Sequence, residues 1–231
     1  MFPDSEQDGG EEELEIRILQ VGSIGREGEA HRLVLRTTRG DIPGLFHVVQ
    51  GGTGAAVMVC GASGGTDGPA EAIYERLAEG LAEKGISSLR LDYREGNVFP
   101  ECVLDVLAGI SFLKGIGAER IALVGHSFGG AVAIKAGEIA GPEVVSVAAL
   151  SSQGYGTQTI ERLAKPLLVV HGMMDQVIEA TTGEEIYRRA NEPKRLVLFA
   201  EAGHSLDQAK AELYDLLMEW IPGQTGERGS V

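Results

Sequence analysis

With 231 residues, 43% of them hydrophobic, the chain is long enough to bury one substantial core, and no Pro- or Ser-rich linker divides it. Its net charge of −14 argues against nucleic acid or an anionic membrane as a partner, since either surface would repel it. No basic segment followed by an apolar stretch opens the chain and no apolar run approaches the length of a membrane span, so a soluble cytoplasmic protein is expected.

Residues 1–13 are mostly Asp, Glu, Gly and Ser and lack the apolar content to pack. They predict a disordered acidic tail, followed by a single domain over residues 14–222 and a flexible tail over 223–231. Alternating patterns over 14–20 and 31–49, with Gly22, Gly25, Gly28, Gly40 and Gly44 as turn signals, predict an antiparallel edge of short strands. From Ala55 to Cys60 the first unbroken apolar run appears, and the chain changes to alternating strands and helices. Ile73, Leu77 and Leu81 at helical spacing, with Gly85 as a stop, predict a helix over 69–84. The pattern continues as a strand over 87–93, a helix over 101–114, a strand over 120–126, a helix over 127–140 and a strand over 144–150. A short helix over 157–163, a strand over 166–171, a helix over 179–189, a strand over 194–199 and a last helix over 206–220 complete it. Such alternation predicts an α/β fold: a mostly parallel twisted sheet with helices on both faces and an antiparallel N-terminal edge.

The most informative stretch is Gly125-His126-Ser127-Phe128-Gly129-Gly130. A buried strand breaks sharply at one serine and continues at once as a helix, the shape of a nucleophile elbow, with glycines at minus two and plus two where so tight a turn leaves no room for a Cβ. A second Gly-x-Ser-x-Gly match, around Ser63, runs into Gly64, Gly65, Thr66, Asp67 and Gly68, a series of turn residues with no helix, and reads as a loop. Cys60 and Cys102 form no disulfide framework, and the five scattered histidines show no zinc spacing. Neither Gly-x-Gly-x-x-Gly nor a phosphate-binding loop is present, so no cofactor is expected.

In a doubly wound sheet, ligand-binding groups collect in the loops past the C-terminal ends of the strands. Three such loops carry Ser127, Asp175 in His171-Gly172-Met173-Met174-Asp175, and His204 in Gly203-His204-Ser205. A serine hydroxyl needs a base, and an imidazole serves best when a carboxylate fixes its tautomer, so the order Ser, Asp, His is chemically coherent. In that order and those loops, the chain from about Arg39 to Trp220 resembles an α/β-hydrolase, nearest in size to the single-domain dienelactone-hydrolase-like and carboxylesterase-like members. The resemblance implies an oxyanion hole made by the backbone N–H of Phe128 and of Ala62, with Gly61 as the alternative to the latter; the family's usual His-Gly at that loop is here Cys60-Gly61. Among rival groups, His126 sits inside the elbow, His171 ends a buried strand, His31 and His47 lie on the antiparallel edge, Glu179 begins a helix and Asp92 closes a strand.

These residues lead to a serine hydrolase that cleaves a small acyl ester or lactone through an acyl-enzyme. Acyl-thioesterase, small peptidase and non-catalytic ligand- or protein-binding readings stand as alternatives. Phe128, Tyr155, Met173 and Met174 are candidates for a small pocket wall. Arg94 is a candidate receptor for a substrate carboxylate, against the simpler alternative of pairing with Asp92 and Glu95. No nucleic acid, membrane or metal partner is expected, and oligomeric state has no signature in the sequence.

Overall fold

The computed structural model describes residues 15–226. One nine-stranded sheet runs through the molecule in the order β1-β2-β3-β5-β4-β6-β7-β8-β9. The antiparallel edge consists of β1 (Ile18–Glu27), β2 (Ala30–Thr37) and β3 (Gly40–His47), and β3 joins β5 (Ile86–Leu91) antiparallel through Gly44↔Leu91 to His47↔Ser88. From β5 onward all pairings are parallel, through β4 (Gly54–Val59), β6 (Arg120–His126), β7 (Val144–Leu150), β8 (Leu167–Gly172) and β9 (Lys194–Phe199). This is the predicted α/β arrangement, antiparallel edge included.

β4 shows why the run at 55–60 reads as continuous apolar rather than alternating. Every residue of the strand is buried, with Ala55, Val57 and Val59 packed on one face and Ala56 and Met58 on the other. A parallel strand covered on both faces has no solvent side to mark with polar residues. Helices α2 (Phe99–Gly115), α3 (Phe128–Ile139) and α4 (Ala180–Arg189) cover the first face, and α1 (Pro69–Glu83) and α5 (Lys210–Thr225) cover the second. Helix α2 starts two residues before the expected position because Phe99-Pro100 opens it; proline is well tolerated in a first turn, where its missing N–H has no intrahelical partner anyway.

After β4 the chain moves to β5 on one side, and after α2 it returns to β6 on the other side of β4. The loops leaving the C-terminal ends of β4 and β6 therefore diverge around a crevice, the place where doubly wound sheets hold ligands. The β4–β6 register ends on Val59↔Gly125, which brings Cys60 and Gly61 level with His126 and Ser127.

Several expectations need correction. Gly22 and Gly25 are not turns but lie within β1, which shifts register between Ser23 and Gly25; an edge strand with one partner absorbs such a bulge readily. Gly44 likewise lies inside β3, where a Cβ would approach the Arg90 carbonyl oxygen of β5 to 3.1 Å. The helix expected over 157–163 is a single 3-10 turn at Ile160–Arg162. Residues 70–72 of α1 adopt left-handed φ/ψ, so the regular right-handed helix begins only after them. At the other end of the chain, a 3-10 turn at Asp207–Ala209 precedes α5, which passes through Pro222 and ends at Thr225. Residues 223–225 are thus helical and not part of a loose tail. Thr225 is buried beside Gly54, and the Gln224 carbonyl accepts from Arg120. The N-terminal tail expectation over 1–13, and that for 227–231, lie outside the described residues. Among the described residues no helix is long and apolar enough to cross a membrane.

Candidate active site

Ser127 links β6 directly to α3 and holds φ 57° and ψ −120°, a conformation rare for a residue bearing a Cβ. Two close approaches enforce the turn. A Cβ on Gly125 would strike the Gly129 carbonyl and stand 2.8 Å from the Gly130 nitrogen, and one on Gly129 would strike the Cys60 carbonyl. The Ser127 N–H donates to the Leu150 carbonyl at 2.8 Å, and its own carbonyl accepts from Gly130 and Gln153. The tip is thereby tied to β7 and to the loop beyond it.

His204 follows β9. Its Nε2 lies 3.0 Å from Ser127 Oγ and its Nδ1 2.8 Å from Asp175 Oδ2. A carboxylate only accepts, so Nδ1 carries the proton and Nε2 is left bare to receive the serine hydroxyl. Asp175 follows β8 and closes an Asx turn, its Oδ1 accepting from the N–H of Val177 at 2.8 Å and of Ile178 at 2.9 Å. Its side chain is wholly buried. Burial pushes the carboxyl up, but the donations from Ile178, His204 and Val177 outweigh it and hold it below the ordinary aspartate value. The acid loop and the histidine loop are also bound to each other, since Met173 N–H donates to the Phe199 carbonyl and Met174 N–H to the Ala202 carbonyl, both at 2.9 Å.

Two histidines that the sequence reading assigned to structure flank this set. His126, pushed down to about 4 chiefly by burial, is neutral near pH 7 and donates from Nε2 to the His204 carbonyl at 3.0 Å. His171 is fully buried, donates from Nε2 to the Ile178 carbonyl at 3.0 Å, and holds the same nitrogen 3.2 Å from Asp175 Oδ2. Its four-residue spacing from Asp175 was the available signal; for His126 the partner is 78 residues away and the sequence carried none. Cys60 is buried and its thiol is raised to about 11 by burial, which agrees with an inert small hydrophobe.

An open cleft of about 670 Å³ lies over Ser127, with Gly61, Ala62, Ser63, His126 and His204 in its wall. Among the described residues neither the Ala62 nor the Phe128 backbone N–H has a protein acceptor, and the same holds for Gly61. Ser63 shares the cleft wall but bonds no histidine among the described residues. Of the other pocket candidates, Met173 and Met174 are 57% and 59% exposed and stand outside that wall, a correction to the expectation. Tyr155 is 67% exposed, and the Phe99 ring packs edge-on against both it and Phe128. The Phe128 ring is itself buried between Phe99 and Tyr93, so its side chain braces the elbow rather than lining the cleft.

Arg94 is also corrected. Its side chain is 8% exposed, donates to Asp105, to Glu101 Oε2 at 2.9 Å and to the Arg39 carbonyl at 2.8 Å, and is not part of the cleft wall over Ser127. Its partners are not Asp92 and Glu95: the Asp92 carboxylate is turned to the loop after β4, where Oδ1 accepts from Gly65 N–H at 2.7 Å. A separate, mainly apolar cavity of about 530 Å³ lies at the opposite ends of the strands, beside Gly54, Ser87 and Ala118, and contains none of Ser127, Asp175 or His204. Among the described residues no group of three His, Cys, Asp or Glu side chains is placed to hold a metal ion.

Comparison with known proteins bears on the fold. The family model described as phospholipase/carboxylesterase matches residues 104–216. Two uncharacterised proteins from two strains of Mycobacterium tuberculosis are 30% identical in an alignment 190 positions long that covers 69% of this chain and 66% of each relative. The chain therefore spans about two thirds of the length of those relatives. Among solved structures, the dienelactone hydrolase of Anabaena variabilis superposes with a TM-score of 0.75 at 17% identity, covering 85% of this chain and 98% of that one. Est1E of Butyrivibrio proteoclasticus gives a TM-score of 0.69 at 15% identity, over 80% and 94% of the two chains. An esterase of Pyrococcus furiosus gives 0.67 at 18% identity, over 83% and 91%. With the strand order, the sharp turn at Ser127 and the chain order of the three polar loops, these likenesses show that the chain has the α/β-hydrolase fold.

Proposed function

We propose that the protein hydrolyses small esters or lactones through an acyl-serine intermediate. The observation that carries this reading is the continuous relay from Ser127 Oγ to His204 Nε2 at 3.0 Å and from His204 Nδ1 to Asp175 Oδ2 at 2.8 Å. In the first step Ser127 Oγ attacks the substrate carbonyl carbon while His204 Nε2 takes the hydroxyl proton. The negative charge moves to the carbonyl oxygen, where the N–H groups of Phe128 and Ala62 receive it. His204 then passes its proton to the leaving alcohol, the C–O bond breaks and the acyl group stays on Ser127. A water molecule, deprotonated by the same imidazole, attacks that acyl group and releases the acid. Throughout, Asp175 stabilises the imidazolium without taking its proton, and its depressed carboxyl suits that role.

The names of the structural neighbours, a dienelactone hydrolase and esterases, favour a small ester or lactone as the substrate class. A fluorophosphonate probe is expected to label wild-type protein and not a Ser127→Ala variant; absence of labelling would favour a binding protein built on the same fold. Hydrolysis of parallel acyl esters, lactones, acyl thioesters and amides then ranks the leaving groups.

Acyl length is a second expectation. Residues 151–166, between β7 and β8, hold only one 3-10 turn and no helical cap. With Tyr155, Met173 and Met174 exposed, little apolar wall is available to a long chain, whose buried methylenes would otherwise each contribute about 0.8 kcal/mol. Across p-nitrophenyl esters from acetate to palmitate, the optimum is expected at roughly two to six carbons, with no rate step at the solubility limit. An optimum at palmitate would refute this.

The pH dependence follows from the same groups. The base works as neutral imidazole, so kcat/KM is expected to rise from acid toward neutral pH as that imidazole loses its proton. Asp175, held low, is ionised across that whole rise, and His126, at about 4, is already neutral below it. Neither therefore supplies the limb, and a flat profile would remove His204 from the mechanism.

A further inference from the structure

The loop after β4 supplies one oxyanion donor in the reading above, yet it is built almost wholly of small turn residues, Gly61 to Gly68, that have no intrinsic reason to hold one conformation. We infer that Asp92, on the neighbouring strand end, is the positioning residue that fixes this loop against Ser127. The inference rests on Ser127 being the nucleophile and on the loop supplying a donor. Asp92 Oδ1 accepts from Gly65 N–H at 2.7 Å and from Tyr93 N–H at 2.9 Å, so one oxygen joins the middle of the loop to the chain just past β5. Contact between the two segments is close on both sides: a Cβ on Gly64 would strike Asp92 Oδ1, and one on Gly96 would come within 2.5 Å of the Ala62 carbonyl.

The ends of the loop are held independently. Tyr93 donates its hydroxyl to the Cys60 carbonyl at 3.2 Å, and Gly68 N–H points to Cys60 Sγ at 3.2 Å. Between those anchors, Gly61 accepts from Gly64 N–H at 3.0 Å and lies against Ser127, a Cβ there standing 3.6 Å from the serine Cβ. The span from Gly61 to Gly65 is therefore one tight turn whose far end is tied down by Asp92. Releasing that end lets the Ala62 N–H turn away from the point where negative charge develops, while Ser127, His204 and Asp175 keep their own anchors. A donor acts on the transition state far more than on the bound substrate, so the loss falls on kcat.

The test compares Asp92→Ala and Asp92→Asn with wild type, using p-nitrophenyl butyrate for kcat and KM and an alkyl trifluoromethyl ketone, whose serine adduct carries the oxyanion, for affinity. Removing one such donor elsewhere lowers kcat roughly 100-fold or more, and Asp92→Ala is expected to do so by about that factor, with KM within about threefold and ketone affinity falling in parallel. Asp92→Asn keeps an oxygen that accepts both N–H groups, and is expected within about fivefold of wild type. If Asp92→Ala fails to fold, Gly64→Ala, which displaces the carboxylate through its Cβ, should reproduce the kcat and ketone effects. An alanine variant with near wild-type kcat, a loss seen only in KM, or an asparagine variant as impaired as alanine would each overturn the proposal. Activity that survives Ser127→Ala would overturn the nucleophile assignment itself, whereas Ser127-dependent activity indifferent to Asp92→Ala overturns only this inference.

Discussion

Ser127→Ala is expected to remove turnover almost completely, by roughly 10⁴- to 10⁶-fold in kcat, while Ser63→Ala retains most of it. The two serines share a Gly-x-Ser-x-Gly pattern and the same cleft, so sequence pattern alone does not separate them. Geometry does. Ser127 Oγ lies 3.0 Å from His204 Nε2 and its backbone is held at a positive φ by the strand before it and the helix after it. Ser63 lies on a loop with no imidazole in hydrogen-bonding contact among the described residues. Without Oγ no acyl-enzyme forms, and what survives is the weak rate that oxyanion donors and substrate binding give to direct attack by water. Purified variants of equal thermal stability, assayed on one short-chain ester, decide the matter. Comparable losses in both would mean that the elbow is misassigned.

How much of this was legible in the sequence depended on whether a feature is local. β4, β6 and β8 are buried on both faces, so their unbroken apolar runs announce them, and the same runs set the parallel architecture. β1 was misread because Gly22 and Gly25 resemble turns, and only pairing with β2 shows that the strand continues through them. The end of α5 was placed too early because the burial of Thr225 against Gly54, a contact across most of the chain, adds a reason to stay helical that no neighbouring residue reveals. In the site, Ser127, Asp175 and His204 were legible because each sits in a loop whose own residues make its turn. Asp92 and His126, by contrast, bond partners that the fold alone brings near, the Gly65 N–H and the His204 carbonyl. Met173 and Met174 were placed in a pocket wall by proximity to Asp175, but the backbone bonds of their loop to Phe199 and Ala202 leave the side chains exposed.

Asp175→Asn is expected to lower kcat by about 10³- to 10⁴-fold while leaving KM nearly unchanged, and the reason lies in how the carboxylate is pinned. Oδ1 accepts two backbone N–H groups, from Val177 and Ile178. An asparagine must keep its oxygen at that position, because placing its NH₂ there would set donor against two donors. The amide nitrogen then occupies the Oδ2 position, 2.8 Å from His204 Nδ1. A donor facing Nδ1 favours the imidazole with its proton on Nε2, and that nitrogen then points a hydrogen at Ser127 and has no lone pair to take the hydroxyl proton. The side chain has the same size and the Asx turn keeps both its bonds, so the loop stays in place, although the new NH₂ also faces His171 Nε2, 3.2 Å from the Oδ2 position, and adds some loss of stability. Asp175→Ala, by contrast, loses the turn as well and should lower thermal stability alongside kcat. The readout is kcat and KM on a short-chain ester together with the melting temperature of both variants. An asparagine variant with kcat within tenfold of wild type would mean that Asp175 is only a turn former and that another acid orients His204.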